Sequence, residues 1–341
     1  MLTFLFTIYL KYDSIIISND GEYIMAHEVE IVNGVAQMAY AGDTPWHGLG
    51  AQVSNDLTPR QIMEKAGLDW SVEKEDVFTA SGVKVPGKKA LVREDGKILD
   101  MVGDDWNPVQ NEQAFEFFSE FVFAGDMEMN CAGSLKEGKN VFALAKVKES
   151  FSILGDDQVD SYLLFSNPHQ YGKAIDIRFT PIRVVCNNTL TFSLNSASKN
   201  FVKVGHRSTF DPNIVKEQMG LASEKFAQYK EMAEFLSTRK FSTETLLQYY
   251  NEVFSHREKR EVSTVKDLSR TAQQAFELLE TQPGAEFGAG TWWQAFNSVT
   301  YLTDHKLGRS DDARMESAWF GVNQARKIKA ANKAVEFATA A

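Results

Sequence analysis

The texture of this chain changes once, and that change limits the folds open to it. Up to about Gly205 the sequence is cut by Gly, Pro and Asp-Gly pairs into short apolar runs. From Asn213 it turns to long stretches of Glu, Lys, Gln, Ala and Leu with helical periodicity and few Gly or Pro. Short runs between turn residues form antiparallel hairpins, and sustained periodicity near ~3.6 residues forms amphipathic helices. The expected fold class is therefore α+β. A hairpin-rich antiparallel sheet domain with packed helices should occupy residues 25–205, followed by a helical C-terminal domain over residues 206–341.

Local signals fill in this outline. Thr58 followed by Pro59 is a helix start, and the apolar positions Ile62, Met63 and Ala66 run to a stop at Gly67. Trp70 to Val85 reads as strand, and the Asp95-Gly96 pair marks a hairpin between Ala90–Arg93 and Ile98–Val102. Ala114, Phe115, Phe118, Phe121 and Val122 lie at helical spacing and read as core. A second hairpin is expected from Met127–Leu135 and Asn140–Val147, and a third from Tyr162–Ser166 and Ala174–Val185. Helices are expected at about Asn213–Leu236, Ser242–Phe254, Ser263–Glu280, Thr291–His305 and Asp312–Phe337.

The apolar run from Met1 to Ser18 looks like an export signal, yet it lacks a basic start and a small-residue cleavage site. Lys11 and Asp13 break it well short of the ~20 residues that cross a bilayer. Gly21-Glu22 can be encoded as a ribosome-binding site ahead of Met25, so residues 1–24 are expected to be a translated leader, with Met25 as the alternative start. The two cysteines, Cys131 and Cys186, have no paired spacing and are expected to be buried free thiols, which points to a cytoplasmic protein.

The segments Ser166-Asn167-Pro168-His169-Gln170-Tyr171-Gly172-Lys173 and Ile182-Arg183-Val184-Val185-Cys186-Asn187-Asn188-Thr189-Leu190 are the most distinctive. With Pro45-Trp46-His47-Gly48-Leu49-Gly50, Ala66-Gly67-Leu68-Asp69-Trp70, Pro108-Val109-Gln110-Asn111, Ala132-Gly133-Ser134-Leu135 and Gly290-Thr291-Trp292, they resemble the phage/plasmid-like family catalogued as domain of unknown function 932. The resemblance covers almost everything after Met25. It implies a habitat in bacteriophages, plasmids and prophages, and it transfers no catalytic residue.

Chemistry must then be read from side chains. The six histidines form no metal-ligand spacing, and no glycine-rich phosphate loop follows a strand, so neither a metal nor a nucleotide cofactor is expected. His47, beside Trp46 in a Gly-rich loop, and His169, at a hairpin tip, read first as structural imidazoles and second as acid–base groups of a hydrolase. Asn187 and Asn188 read as caps of a turn or as ligand contacts.

A formal net charge of -10 disfavours a protein that coats duplex DNA by bulk charge. Cations nevertheless gather in one region: Lys173, Arg178, Arg183, Lys199, Lys203 and Arg207, with Tyr171, Phe179, Phe192 and Phe201 interleaved. A groove for single-stranded nucleic acid needs cations for phosphates and flat rings for bases. The expected function is thus ATP-independent binding or annealing of single-stranded DNA in replication or recombination, with Arg178, Arg183, Lys199, Lys203 and Arg207 as phosphate contacts. Against it stand the core-facing habit of strand aromatics and the chance that Arg178 pairs with Asp176. The element order resembles that of phage single-strand annealing proteins, which work as rings; that analogy adds homo-oligomerisation to the expectation. A second reading is a factor that binds a host protein and blocks a defence system, for which net acidity would mimic DNA.

Overall fold

The computed structural model describes residues 16–17, 23–24, 29–42, 50–183, 188–189, 201–207, 226–255, 262–308 and 311–340. Within them the chain is α+β, built on one large, mostly antiparallel sheet with helices on both faces.

The sheet contains β1 (Met38–Ala41) and β2 (Ala51–Val53), which are parallel to each other. A separate three-stranded sheet follows, made of β3 (Val72–Phe78), β4 (Lys84–Arg93) and β5 (Ile98–Val102). The large sheet resumes with β6 (Met127–Leu135), β7 (Asn140–Ile153), β8 (Asp157–Pro168) and β9 (Ile175–Arg183). Two short strands, β10 (Asn188–Thr189) and β11 (Phe201–Val204), share the outer edge of β9. The order across the sheet is β10-β9-β8-β7-β6-β1-β2.

The Asp95-Gly96 hairpin and the β6–β7 hairpin form where the turn residues place them. Two further turns went unread. The stretch expected as one strand from Trp70 to Val85 folds back at Ser81-Gly82, where Gly82 takes φ 80°. β7 likewise runs past Val147 to Ile153 and turns at Leu154-Gly155, both at positive φ. Ser81-Gly82 and Leu154-Gly155 are weaker hairpin signals than Asp-Gly, which is why both turns escaped the pattern.

α1 (Pro59–Lys65) and α2 (Asn111–Ala124) pack on one face of the sheet. A capping box closes α1: Gln61 N donates to Thr58 Oγ1 at 3.3 Å and Thr58 N to Gln61 Oε1 at 2.9 Å. Ile62, Met63, Phe115 and Phe118 of these helices bury against Ala143, Phe165 and Ile177. On the opposite face Trp319 packs on Phe142 at 5.3 Å, within a core that includes Leu144 and Leu164.

The C-terminal region is helical. Residues 226–238 (α3) are followed by α4 (Thr243–Phe254), α5 (Arg270–Glu277), α6 (Trp292–Tyr301), α7 (Asp311–Phe320) and α8 (Val322–Ala340). Three expected helices are interrupted. The one placed at Ser263–Glu280 begins as a single 3-10 turn, because Leu268 is extended and Ser269 starts a new helix by capping Ala272 N. The one placed at Thr291–His305 widens into a π-helical segment, Leu302–Lys306. The one placed at Asp312–Phe337 breaks at Gly321, where Ser317 Oγ accepts from Asn323 N.

The boundary expected at residue 205 marks a change of secondary structure but not a gap between cores. Phe151 and Ile153 at the end of β7, Val159 near the start of β8 and Phe179 in the middle of β9 belong to the same buried cluster as Tyr229, Leu247, Trp292, Trp293 and Ala334. Trp293 Nε1 donates to Asp157 Oδ2 at 2.7 Å, tying α6 to the start of β8.

Candidate nucleic-acid interface

The end of the large sheet opposite that shared core is made of turns. Asn140 pairs with Pro168, so the β6–β7 turn lies beside the β8–β9 turn. Ile175 pairs with Val204, so the segment after β11 ends there too. Chain segments distant in sequence therefore meet at one rim.

Tyr171 is the exposed centre of this rim. Its side chain lies in the β8–β9 turn, 61% exposed, while its backbone N–H donates to Asp100 Oδ2 at 2.9 Å. That bond fixes the turn against β5. Lys88 Nζ of β4 lies 5.8 Å from the centre of the ring, within range of a cation–π contact worth ~0.5–1 kcal/mol at an exposed site. Lys173, two residues on, is exposed.

The sequence-nominated cations separate in space. Arg207 extends into solvent, 70% exposed, with its Nε 2.9 Å from Asp105 Oδ2. A surface pair of this kind is worth only ~0–1 kcal/mol and leaves the outer guanidinium donors facing water. Lys203 is exposed on β11, directly opposite Asp176 across the strand pair. Arg178, by contrast, is 8% exposed. It pairs with Asp176 through both Nε and Nη2, and Nη1 donates to the Trp319 carbonyl at 2.9 Å. Its cationic face covers the Phe320 ring at 5.3 Å. Arg178 clamps α7 to the sheet, which gives it a structural role and takes it away from any solvent phosphate.

Arg183 pairs through its backbone with Val159 and Asn188, at the other end of β9 from Tyr171. Lys199, Asn187, Trp46 and His47 lie outside the described residues, as does Phe192. Phe179 is buried against Phe226 at 5.5 Å and is core, as strand aromatics usually are.

His169 sits directly behind the rim and is fully buried. Its backbone N–H donates to the Lys139 carbonyl at 2.9 Å, and its ring lies 5.3 Å from Trp70. Burial pushes its pKa down to about 3, with neighbouring His206 adding to the effect, so the ring is neutral at ordinary pH. A buried neutral imidazole of this kind does not reach a substrate in solvent, which weakens the hydrolase reading.

Cys131 is buried and free, and burial pushes its thiol up to about 12, so it is inert. Among the described residues no three His, Cys, Asp or Glu side chains gather at one point, and no helix is long and apolar enough to cross a membrane.

The pattern that defines the family described as Domain of unknown function (DUF932) matches residues 98–319. The chain belongs to this family. The matched span runs from β5 through most of α7, so the DUF932 region contains Tyr171, Arg178, His169 and most of the core that joins sheet to helices. Lys88 of β4, beside Tyr171 at the rim, lies upstream of it. No curated protein and no solved structure matches the chain.

Proposed function

We propose that this DUF932 protein binds single-stranded nucleic acid, in the replication or recombination of a mobile element, along the turn-built rim of its sheet. The observation that carries the reading is Tyr171: a large ring held in solvent by a fixed backbone, with a lysine across one side. Exposed aromatic rings accept bases of any sequence, and nearby cations take the phosphates. Lys88, Lys173, Lys203 and Arg207 are the phosphate contacts in this reading. Asp100 and Asp105 lie among them. Their negative charge weakens the site, while the contacts of the cations with phosphates make binding depend on salt.

Fluorescence anisotropy with a labelled oligonucleotide at ~50 mM salt tests the reading, because phosphate contacts are strong at low ionic strength. Binding is expected, and Tyr171→Ala should weaken it by ~1–3 kcal/mol, the value of one base stacked on one ring. Its melting temperature should be unchanged. No binding by the native protein at that salt discards the proposal.

The alternative, a protein partner, is favoured by the three-stranded sheet. Ile98 is 64% exposed and Met101 56%, on the same sheet as the exposed acids Glu73 and Glu75.

A further inference from the structure

The β3–β4 hairpin repeats, in a second place, the chemistry of the Tyr171 turn. Every residue from Phe78 through Lys84 is exposed, Phe78 at 58% and Val83 at 62%. The backbone of this tip is nonetheless fixed. Thr79 N donates to the Val83 carbonyl at 2.8 Å, Gly82 N to the Thr79 carbonyl at 2.9 Å, and Val83 N to Thr79 Oγ1 at 3.2 Å. Phe78 is thus another large ring held in solvent by an ordered turn.

Phe78 pairs with Lys84 across the hairpin. Residues directly opposite in an antiparallel pair share a face, with Cβ atoms ~4.5–5.5 Å apart. The ring therefore has a lysine beside it, as Tyr171 has Lys88. Charge also sets this hairpin apart in an acidic chain. No acid occurs from Val77 to Arg93, a stretch that carries Lys84, Lys88 and Lys89. Asp76 is the nearest carboxylate in sequence, and it is shared: Lys84 Nζ lies 2.7 Å from one of its oxygens and Lys89 Nζ 2.5 Å from the other. One carboxylate cannot balance two ammonium groups, and the Lys84 side chain is still 55% exposed. Glu73 and Glu75 lie further towards the base of the hairpin, opposite Val92 and Ala90. The local excess of positive charge favours an anionic partner.

The two pairs of ring and lysine are joined by one strand. Lys84 and Lys88 are four residues apart on β4, hence at most ~13 Å at ~3.3 Å per residue. With a rise of ~3.4 Å per stacked nucleotide, on the order of four nucleotides span that distance. We propose that Phe78 and Lys84 form a second subsite for single-stranded nucleic acid, stacking a base and holding its phosphate, so that one strand runs along β4 from Tyr171 to the hairpin tip. The inference rests on the reading of Tyr171 given above and extends it to residues upstream of the matched DUF932 span. A flat ring beside a cation is the combination that accepts a base of any sequence with its phosphate.

The test uses the full chain and a fluorescently labelled oligothymidine of ~20 nucleotides at ~50 mM salt, where phosphate contacts are strong. Phe78→Ala should weaken binding by at least ~5-fold, the lower end for one base stacked on one ring, and Phe78→Tyr should bind like the native chain. Lys84→Ala should also weaken binding and flatten its salt dependence. Circular dichroism checks that each variant folds. A second readout needs no variant: an oligonucleotide carrying iododeoxyuridine, irradiated on the native protein, should crosslink to the peptide that holds Phe78 as well as to the one that holds Tyr171. If Tyr171→Ala weakens binding while folded Phe78→Ala and Lys84→Ala bind like the native chain, or if the crosslink forms at Tyr171 alone, the second subsite is overturned and the rim reading stands. No binding by the native protein overturns both. Sedimentation of the native protein, but not of Phe78→Ala, with phosphatidylserine vesicles, together with unchanged oligonucleotide binding by that variant, assigns the tip to a membrane surface and overturns the proposal.

Discussion

Lys327 Nζ lies 2.7 Å from Asp304 Oδ1, and neither side chain is more than 3% exposed. The pair joins α8 to the π-helical segment Leu302–Lys306 in a region where burial alone would push Lys327 towards its neutral form. Removing one partner strands the other charge in the interior. Lys327→Met is therefore expected to cost ~3–5 kcal/mol in denaturant unfolding, and the double variant Lys327→Met/Asp304→Leu should recover much of the loss. A single variant that is as stable as the native chain would contradict this.

Arg178 gives the complementary case for the nucleic-acid reading. Arg178→Met leaves buried Asp176 unpaired and frees the Trp319 carbonyl, so unfolding should become easier by a few kcal/mol, on the order of 3. Oligonucleotide affinity of the folded fraction should hold, with the same salt slope. Lys173→Ala should do the reverse, flattening the slope of log affinity against log salt with no change in stability.

The acid limb of stability should carry the mark of His169. The native pKa is near 3 and the unfolded one near ~6.5, so between those values the unfolded chain binds a proton that the native chain does not. This contribution is complete above pH ~6.5 and declines as pH falls towards 3. Asp95 acts lower down: the Arg93 guanidinium beside it brings its carboxyl to about 2, giving a contribution lost between pH ~4 and that value. Denaturant midpoints measured against pH should show His169→Gln flattening the upper window and Asp95→Asn the lower one.

Gly67 is expected to be costly to replace, chiefly through its backbone. Its φ of 69° is left-handed, and a Cβ would lie 1.9 Å from Gln37 Oε1. Gly67→Ala should destabilise by more than ~1 kcal/mol in thermal or denaturant unfolding. Adding Gln37→Ala should restore only the part due to the clash, since the backbone strain remains.

The secondary structure was legible where a residue type has one strong local meaning. Thr58-Pro59 started a helix and Asp95-Gly96 turned a hairpin because capping and left-handed turns act within a few residues. The turns at Gly82 and Gly155 were missed because Ser-Gly and Leu-Gly are weaker hairpin signals than Asp-Gly. The break at Gly321 was missed because Ala, Lys and Asn continue the helical pattern on either side. At the site, composition singled out one stretch of chain but could not tell which of its cations face solvent. Arg178 and Tyr171 lie seven residues apart, yet one is buried under α7 and the other projects from the rim. The partner that fixes the buried His169 ring was beyond the reach of sequence, since it is Asn111, 58 residues away.

The bond from Trp293 to Asp157 spans 136 residues. During synthesis at ~5–20 residues per second, β8 leaves the ribosome roughly ten seconds or more before its partner. Phe151 waits for Phe226 and Tyr229 of α3, and until α6 follows the cover of Phe151, Ile153 and Val159 is incomplete, so the newly made strands β7 and β8 expose a greasy end to the cell. A ribosome that stalls between those two points would release a chain with this surface still open, a natural target for chaperones and proteases. The protein is therefore made safely only when it is made to the end.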